Sequence, residues 1–396
     1  MLGGPRIVIV HDYLTQRGGA ERVALDLLRT FPGSRLVTSC WNPASTYPGF
    51  HDHDIETLWI DKVPVLRRDP RRAFPFLARA FERHTIRDAD VVVCSSSGWA
   101  HRVNTPAPKV VYCHNPARWL YQPNEYFPSM PGWARRRFVE RTWRLRASDA
   151  AAARDASAYL VNSGAVAGRV RVTYGIDPMV VPPARGLSPE GPQTPIPGIE
   201  PGYLLTVSRH RAYKHTEAIC AAVASMPGER LVVVGGAPTT AWPVGVTSVS
   251  DLDDAQMRWL YANAAALVAV AHEDFGLTPV EAQSFGIPAV VLRNGGYLDS
   301  TIENLTGVFV NNSSVPEVVA GIRSVRHRNW DADALRRCGD RYAPAVFAER
   351  MTRIVEDVLT QRSDGEDVAS TVSLPEGDAE QSGHDGAESS SRSMIA

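Results

Sequence analysis

Two glutamates eight residues apart, Glu273 and Glu281, bracket the stretch Asp274-Phe275-Gly276-Leu277-Thr278-Pro279-Val280. The apolar run over residues 264–271 reads as a buried parallel strand, and a short helical pattern follows the pair. Thr278 suits an N-cap, Pro279 the first helical position and Glu281 the acid of a capping box. The spacing thus predicts strand, loop and helix start, with Gly276 letting the backbone come close to whatever lies in front. A helix N-terminus directs free N–H groups and a partial positive charge forward, which suits a phosphate.

Three other places carry residues of the same kind of use. Arg209 and Lys214 flank a loop between a strand over 203–209 and a helix over 216–224, where two cations can clamp a pyrophosphate. His114 ends the apolar run 110–113 with Pro116 two residues on, a position where α/β folds place ligand contacts. Gly18 and Gly19 lie between a first strand over 6–10 and a helical pattern through Val23, Leu27 and Leu28, and suit close backbone approach to a phosphate or sugar. They lack the G-x-G-x-x-G spacing of dinucleotide folds. Read alone, each has a plainer alternative: two surface bases, a structural histidine, a tight turn.

Asp251-Leu252-Asp253-Asp254 contains the D-x-D that metal-dependent transferases use, but it directly precedes a helical run. A helix-capping cluster is the expectation there, and no metal is assigned. His51-Asp52-His53-Asp54 reads as a polar loop.

The elements that must position these groups come in two sets. At 396 residues the chain is too long for one ordinary core, and its 44% hydrophobic and 21% charged composition is that of a folded protein. Strand–helix alternation recurs on both sides of residues 186–202, whose density of proline and glycine excludes a helix or central strand. The expectation is an α/β protein of two Rossmann-like domains facing a cleft. The boundaries fall at 1–185, a linker 186–202, 203–345, a helix over 346–361 and an acidic tail 362–396 without order. The net charge of −1 hides an asymmetry: from Asp364 onward there are eight acids and one base, so residues 1–363 are mildly basic. Five scattered cysteines argue against a zinc site or disulfide framework, and no apolar run is long enough to span a bilayer. Both point to a cytoplasmic protein.

Two basic stretches carry aromatics. Residues 62–87 hold Arg67, Arg68, Arg71 and Arg72 with Phe74, Phe76 and Phe81, and residues 133–146 hold Arg135, Arg136 and Arg137 with Trp133, Phe138 and Trp143. They read equally as a membrane-surface element or as solvated helix faces.

The segment "EDFGLTPVEAQSFGIPAVV" resembles the Glu-x7-Glu group of retaining, GT-B-fold glycosyltransferases (family 4-like), which includes bacterial mannosyltransferases. "GGAER" resembles that family's first loop, "YCHNPARWLY" its histidine segment, Arg209 with Lys214 its cation pair, and Arg293-Asn294-Gly295-Gly296 its glycine loop facing the donor. The resemblance spans roughly residues 6–345. It implies the GT-B architecture, with the last helix crossing back to the first domain, and retaining transfer of a sugar from a nucleotide diphosphate sugar. Glu273 would hold sugar hydroxyls and Glu281 the ribose, and His114 would lie beside the donor sugar. Arg209, Lys214 and the N–H groups around Phe275, Gly276, Leu277 and Thr278 would stabilise the diphosphate. Gly18 and Gly19 would face the donor and acceptor cleft. The motifs look most like users of GDP-mannose, with a UDP-sugar the alternative; no cofactor beyond the donor and no metal is implied. The acceptor would be a glycan or lipid-linked, with no nucleic acid partner, and the anionic inner face of the cell membrane a possible docking surface. A nucleotide-sugar epimerase and a catalytically silent GT-B subunit are the other classes.

Overall fold

A computed structural model describes residues 4–65, 70–127, 129–207, 215–235 and 242–364. Its strands gather into two parallel sheets. The first runs β3-β2-β1-β4-β5-β6-β7, from β1 (Ile7–His11), β2 (Arg35–Thr38), β3 (Ile55–Thr57), β4 (Val91–Ser96), β5 (Lys109–Cys113), β6 (Ala158–Val161) and β7 (Met179–Val180). The second runs β10-β9-β8-β11-β12-β13, from β8 (Tyr203–Val207), β9 (Leu231–Val234), β10 (Val246–Val249), β11 (Ala264–Ala269), β12 (Ala289–Leu292) and β13 (Gly307–Val310). These are two Rossmann-like sheets.

The central strands are apolar at nearly every position because helices cover both faces. In the first sheet Val8, Val10, Val92, Cys94 and Val111 point to one core, with Leu77 and Phe81 of the helix Pro70–Arg83. Ile9, Val91, Val93, Val110 and Tyr112 point to the other. That second core is completed by the helix Gly19–Thr30 and by Phe347, Met351, Ile354 and Val355 of the helix Pro344–Asp364. The chain's last described helix therefore packs on its first sheet.

Between the sheets, residues 182–202 form no helix or strand, yet they are pinned. Arg185 donates from Nη1 to Ser284 Oγ, Gly339 O and Asp340 Oδ1, at 3.1, 3.2 and 3.1 Å. Leu187 is buried in the second core. In each sheet the strand order reverses once, between β1 and β4 and between β8 and β11, and ligands of open α/β sheets bind beyond the carboxyl ends at such points.

Candidate active site

Both reversal points open onto one cleft of about 590 Å³. Gly18, Gly19 and His114 line it from the first domain, and Glu273, Gly276 and Glu281 from the second.

The loop after β11 is shaped by contacts that only glycine permits. Gly276 has φ +86°, and a Cβ there would meet Tyr297 Cε1 at 2.5 Å. A Cβ on Gly296 would fall 2.2 Å from Phe275 Cα, and the Gly296 N–H donates to Glu273 O at 3.0 Å. The turn 293–296 thus braces the backbone that carries Glu273. Phe275 turns its ring toward Tyr342, centroids 5.7 Å apart.

The helix that follows is Leu277–Ser284, with left-handed Gly276 as its N-cap and no side-chain cap. This corrects the expectation of a Thr278 N-cap with Glu281 in a capping box. The tight approach of Gly276 to Tyr297 starts the helix one residue before Thr278, placing Glu281 in its second turn. There Glu281 Oε2 accepts from Tyr261 OH at 2.8 Å. Burial pushes its carboxyl above the ordinary range, opposed by Tyr261, Arg22 and the Gly186 N–H. Across the cleft Gly19 faces this helix start, 3.6 Å from an added Cβ to Leu277 Cδ1.

His114 follows β5 directly. Its Nε2 lies 2.8 Å from Ser95 Oγ, its backbone N–H donates to Ser96 O, and its carbonyl accepts from Asn162 Nδ2. Burial lowers its pKa to about 4, so the ring is neutral at neutral pH. Beneath it Asp12 accepts the N–H groups of Ser97, Trp99 and Ala100 at 2.6, 3.2 and 2.7 Å. That fixes the loop carrying Trp99, which stacks on Trp119 at 4.6 Å between centroids.

Two family models match the chain, glycosyltransferase family 4 over residues 17–185 and glycosyl transferases group 1 over residues 196–342. The two models fall one on each half of the chain, and the two parallel sheets facing a cleft have the GT-B fold. Alpha-1,3/1,6-mannosyltransferase ALG2 of Dictyostelium discoideum is 24% identical over 111 residues, 26% of this chain and 26% of the relative. The chain thus spans about a quarter of that curated relative's length. Among solved structures, sucrose-phosphate synthase from Thermosynechococcus elongatus superposes with TM-score 0.64 at 16% identity, covering 90% of this chain and 99% of that one. Anabaena HepE in complex with UDP-glucose gives TM-score 0.62 at 15% identity, covering 89% and 99%.

Within this GT-B frame the sequence left two residues without a role. Asp12 carries no local signal, being one acid in a polar loop. Asp274 stands inside the motif, yet its partners lie far away in sequence. Its side chain takes Asn115 Nδ2 at 3.0 Å, Arg169 Nη1 at 2.5 Å and Arg118, and its carbonyl takes Ser163 Oγ–H at 2.5 Å. The predicted cation pair, Arg209 and Lys214, lies outside the described residues. Asp253 caps the helix Asp254–Asn263 in a capping box with Gln256.

Proposed function

We propose that the protein is an active retaining glycosyltransferase that moves a sugar from a nucleotide diphosphate sugar to a glycan or lipid-linked acceptor. The observation that carries this reading is the convergence of Glu273, the Gly276 helix start and Glu281 on one cleft with Gly18, Gly19 and His114. Cleaving a sugar–phosphate bond leaves negative charge on the diphosphate and positive character on the sugar. The N–H groups at Leu277 and Thr278 suit the first, together with Arg209 and Lys214. Glu273 suits the sugar hydroxyls, and Glu281 the ribose. Asp12, Asp274 and Glu281 are each committed to protein donors, so none of the three stands as a nucleophile. The leaving phosphate then assists deprotonation of the acceptor on the same face.

GDP-mannose is the proposed donor, supported by the resemblance to mannosyltransferases and by the ALG2 relative. The UDP-glucose complex of a structural neighbour keeps UDP-sugars in the test. We place no metal in the reaction, because the two cations and the helix start supply the positive charge. The acceptor side is proposed to meet an anionic membrane, through the exposed Trp133 and Trp143 among arginines. Among the described residues no helix is long and apolar enough to cross one.

A panel of GDP- and UDP-sugars, each assayed with and without acceptor and with chelator, tests these statements together. Transfer that follows one donor, needs an acceptor and survives chelation supports the transferase, donor and metal-free readings. Donor isomerisation without an acceptor defeats the transferase reading, and activity restored by Mg²⁺ or Mn²⁺ defeats the metal-free one.

A further inference from the structure

His114 ends in a chain of buried side chains that reaches back to the first strand. In the parallel register His11 of β1 is level with Ser95 of β4, and Ser95 with Tyr112 of β5, two residues before His114. Side chains two residues apart on a strand share a face, so the three line up beneath the cleft. His11 Nδ1 lies 3.1 Å from Ser95 O and 3.0 Å from Ser95 Oγ, and Ser95 Oγ lies 2.8 Å from His114 Nε2. All three residues are buried.

These contacts favour one arrangement of the protons. A backbone carbonyl can only accept, and the His11 ring meets two of them, Ser95 O at Nδ1 and, more weakly, Tyr13 O; the stronger contact places the one hydrogen of the neutral ring on Nδ1. Without it two acceptors would meet in a buried site, at a cost of about 1–3 kcal/mol for the group left unpaired. With Nδ1–H of His11 turned toward the serine, the hydroxyl hydrogen of Ser95 is left to donate to His114 Nε2. A neutral imidazole has one N–H, and Nε2 is now the acceptor, so the hydrogen of His114 sits on Nδ1. Burial holds His11 down at about 3 and His114 at about 4, which keeps both rings at one hydrogen each near neutral pH.

We infer that Ser95, oriented by His11, is a positioning residue that locks His114 as the Nδ1–H tautomer, making this cleft-lining ring a neutral hydrogen-bond donor. It would serve a group that offers a lone pair, such as a hydroxyl or ring oxygen of the donor sugar. The inference rests on the sugar-transfer reading for its use in turnover, but the tautomer is a property of the free protein.

The test is ¹⁵N spectroscopy of histidine-labelled full-length protein, read beside donor kinetics. In the wild type His114 should show a protonated, pyrrole-type Nδ1 and a bare, pyridine-type Nε2. Ser95→Ala removes a hydroxyl and adds no bulk, and should shift this pattern toward Nε2–H. It should also lower kcat/KM by about tenfold or more, as misorientation of a positioned group does. Ser95→Thr keeps the hydroxyl, and His11→Asn keeps an N–H near Ser95 O; both should hold the wild-type pattern. A pyridine-type Nδ1 in the wild type, or an unchanged tautomer in Ser95→Ala, overturns the inference. Failure to turn over any nucleotide sugar would instead defeat the transferase reading, leaving the ¹⁵N pattern to decide this one.

Discussion

Asp274 of the second domain accepts from Arg169 of the first, Oδ1 to Nη1 at 2.5 Å, across the mouth of the cleft. Arg118 holds the other carboxylate oxygen, and a second link lies close by, where Asp299 takes the Gly164 N–H at 3.1 Å on both oxygens. Each arginine is partly exposed, so solvent screening limits each pair to about 1 kcal/mol or less. Contacts of that size suit a closure that forms and releases.

The double variant Asp274→Ala/Asp299→Ala should therefore favour an open arrangement while melting within roughly 2 kcal/mol of the parent. Small-angle scattering should give a larger radius of gyration without donor, and kcat/KM for the donor should fall. Scattering indistinguishable from the parent would mean these contacts do not set the closure.

A second prediction concerns the chemistry. Glu273→Ala should fold normally and lose about 10²–10³ in turnover, the scale of one lost transition-state contact, and Lys214→Ala should do the same. Glu281→Gln keeps an acceptor for Tyr261 and should affect donor KM more than kcat. Purified Glu273→Ala with parental kinetics would remove the central residue from the site.

The two-sheet fold was legible because each central strand is a short apolar run with helical periods between. The edge strands β3 and β10 were not, since Ile55–Thr57 and Val246–Val249 are short and partly exposed and so carry no apolar run. The glycines of the motif were visible in sequence, but their reason was not. Gly276 and Gly296 answer to Tyr297 and Phe275, and only packing shows that. The cap at Thr278 failed because local propensity was outweighed by that packing. Asp274 and Ser95 were invisible for a related reason: their partners stand 19 to 159 residues away.

A third prediction follows from four buried groups that titrate in opposite senses. His11 and His114 fall from 6.5 to about 3 and about 4, chiefly through burial. Below pH 6.5 the unfolded chain takes up these protons first, so acidification toward pH 4 removes stability. Asp12 and Asp26 rise from 3.8 to about 6, again through burial. Between pH 6 and 4 the folded protein takes up those protons first, so acidification adds stability. The two pairs oppose each other between pH 6 and 4, so the acid loss from the histidines is offset by the aspartates. Asp26→Asn removes one compensating group away from the site. Its denaturation curves should lose on the order of 2–3 kcal/mol relative to the parent over that window. Parallel curves would show that Asp26 is not held protonated by the fold.

The last prediction concerns the outer surface of the first domain. Phe81, expected among inserting aromatics, is fully buried on the sheet, so it cannot meet a membrane. Arg67 and Arg68 lie outside the described residues. Exposed apolar rings remain elsewhere: Trp133 is 75% and Trp143 60% exposed, on the helices Gly132–Arg141 and Trp143–Arg154. Arg136, Arg137, Arg141 and Arg144 are exposed with them, and only Glu140 offsets that charge on the same helices' exposed face. Each base near an anionic leaflet is worth about 1 kcal/mol, and an indole can enter the headgroup region beside it. Four such bases hold a protein reversibly and release it as salt rises. The competing view, that these side chains only solvate two helices, predicts no lipid dependence at all. Co-sedimentation should show binding to anionic but not neutral vesicles, weakening at high salt. It should drop further in Trp133→Ser/Trp143→Ser and in Arg136→Gln/Arg137→Gln. Equal recovery with anionic and neutral vesicles at low salt, or variants that bind as the parent does, would leave these helices as solvated faces and point to a soluble acceptor.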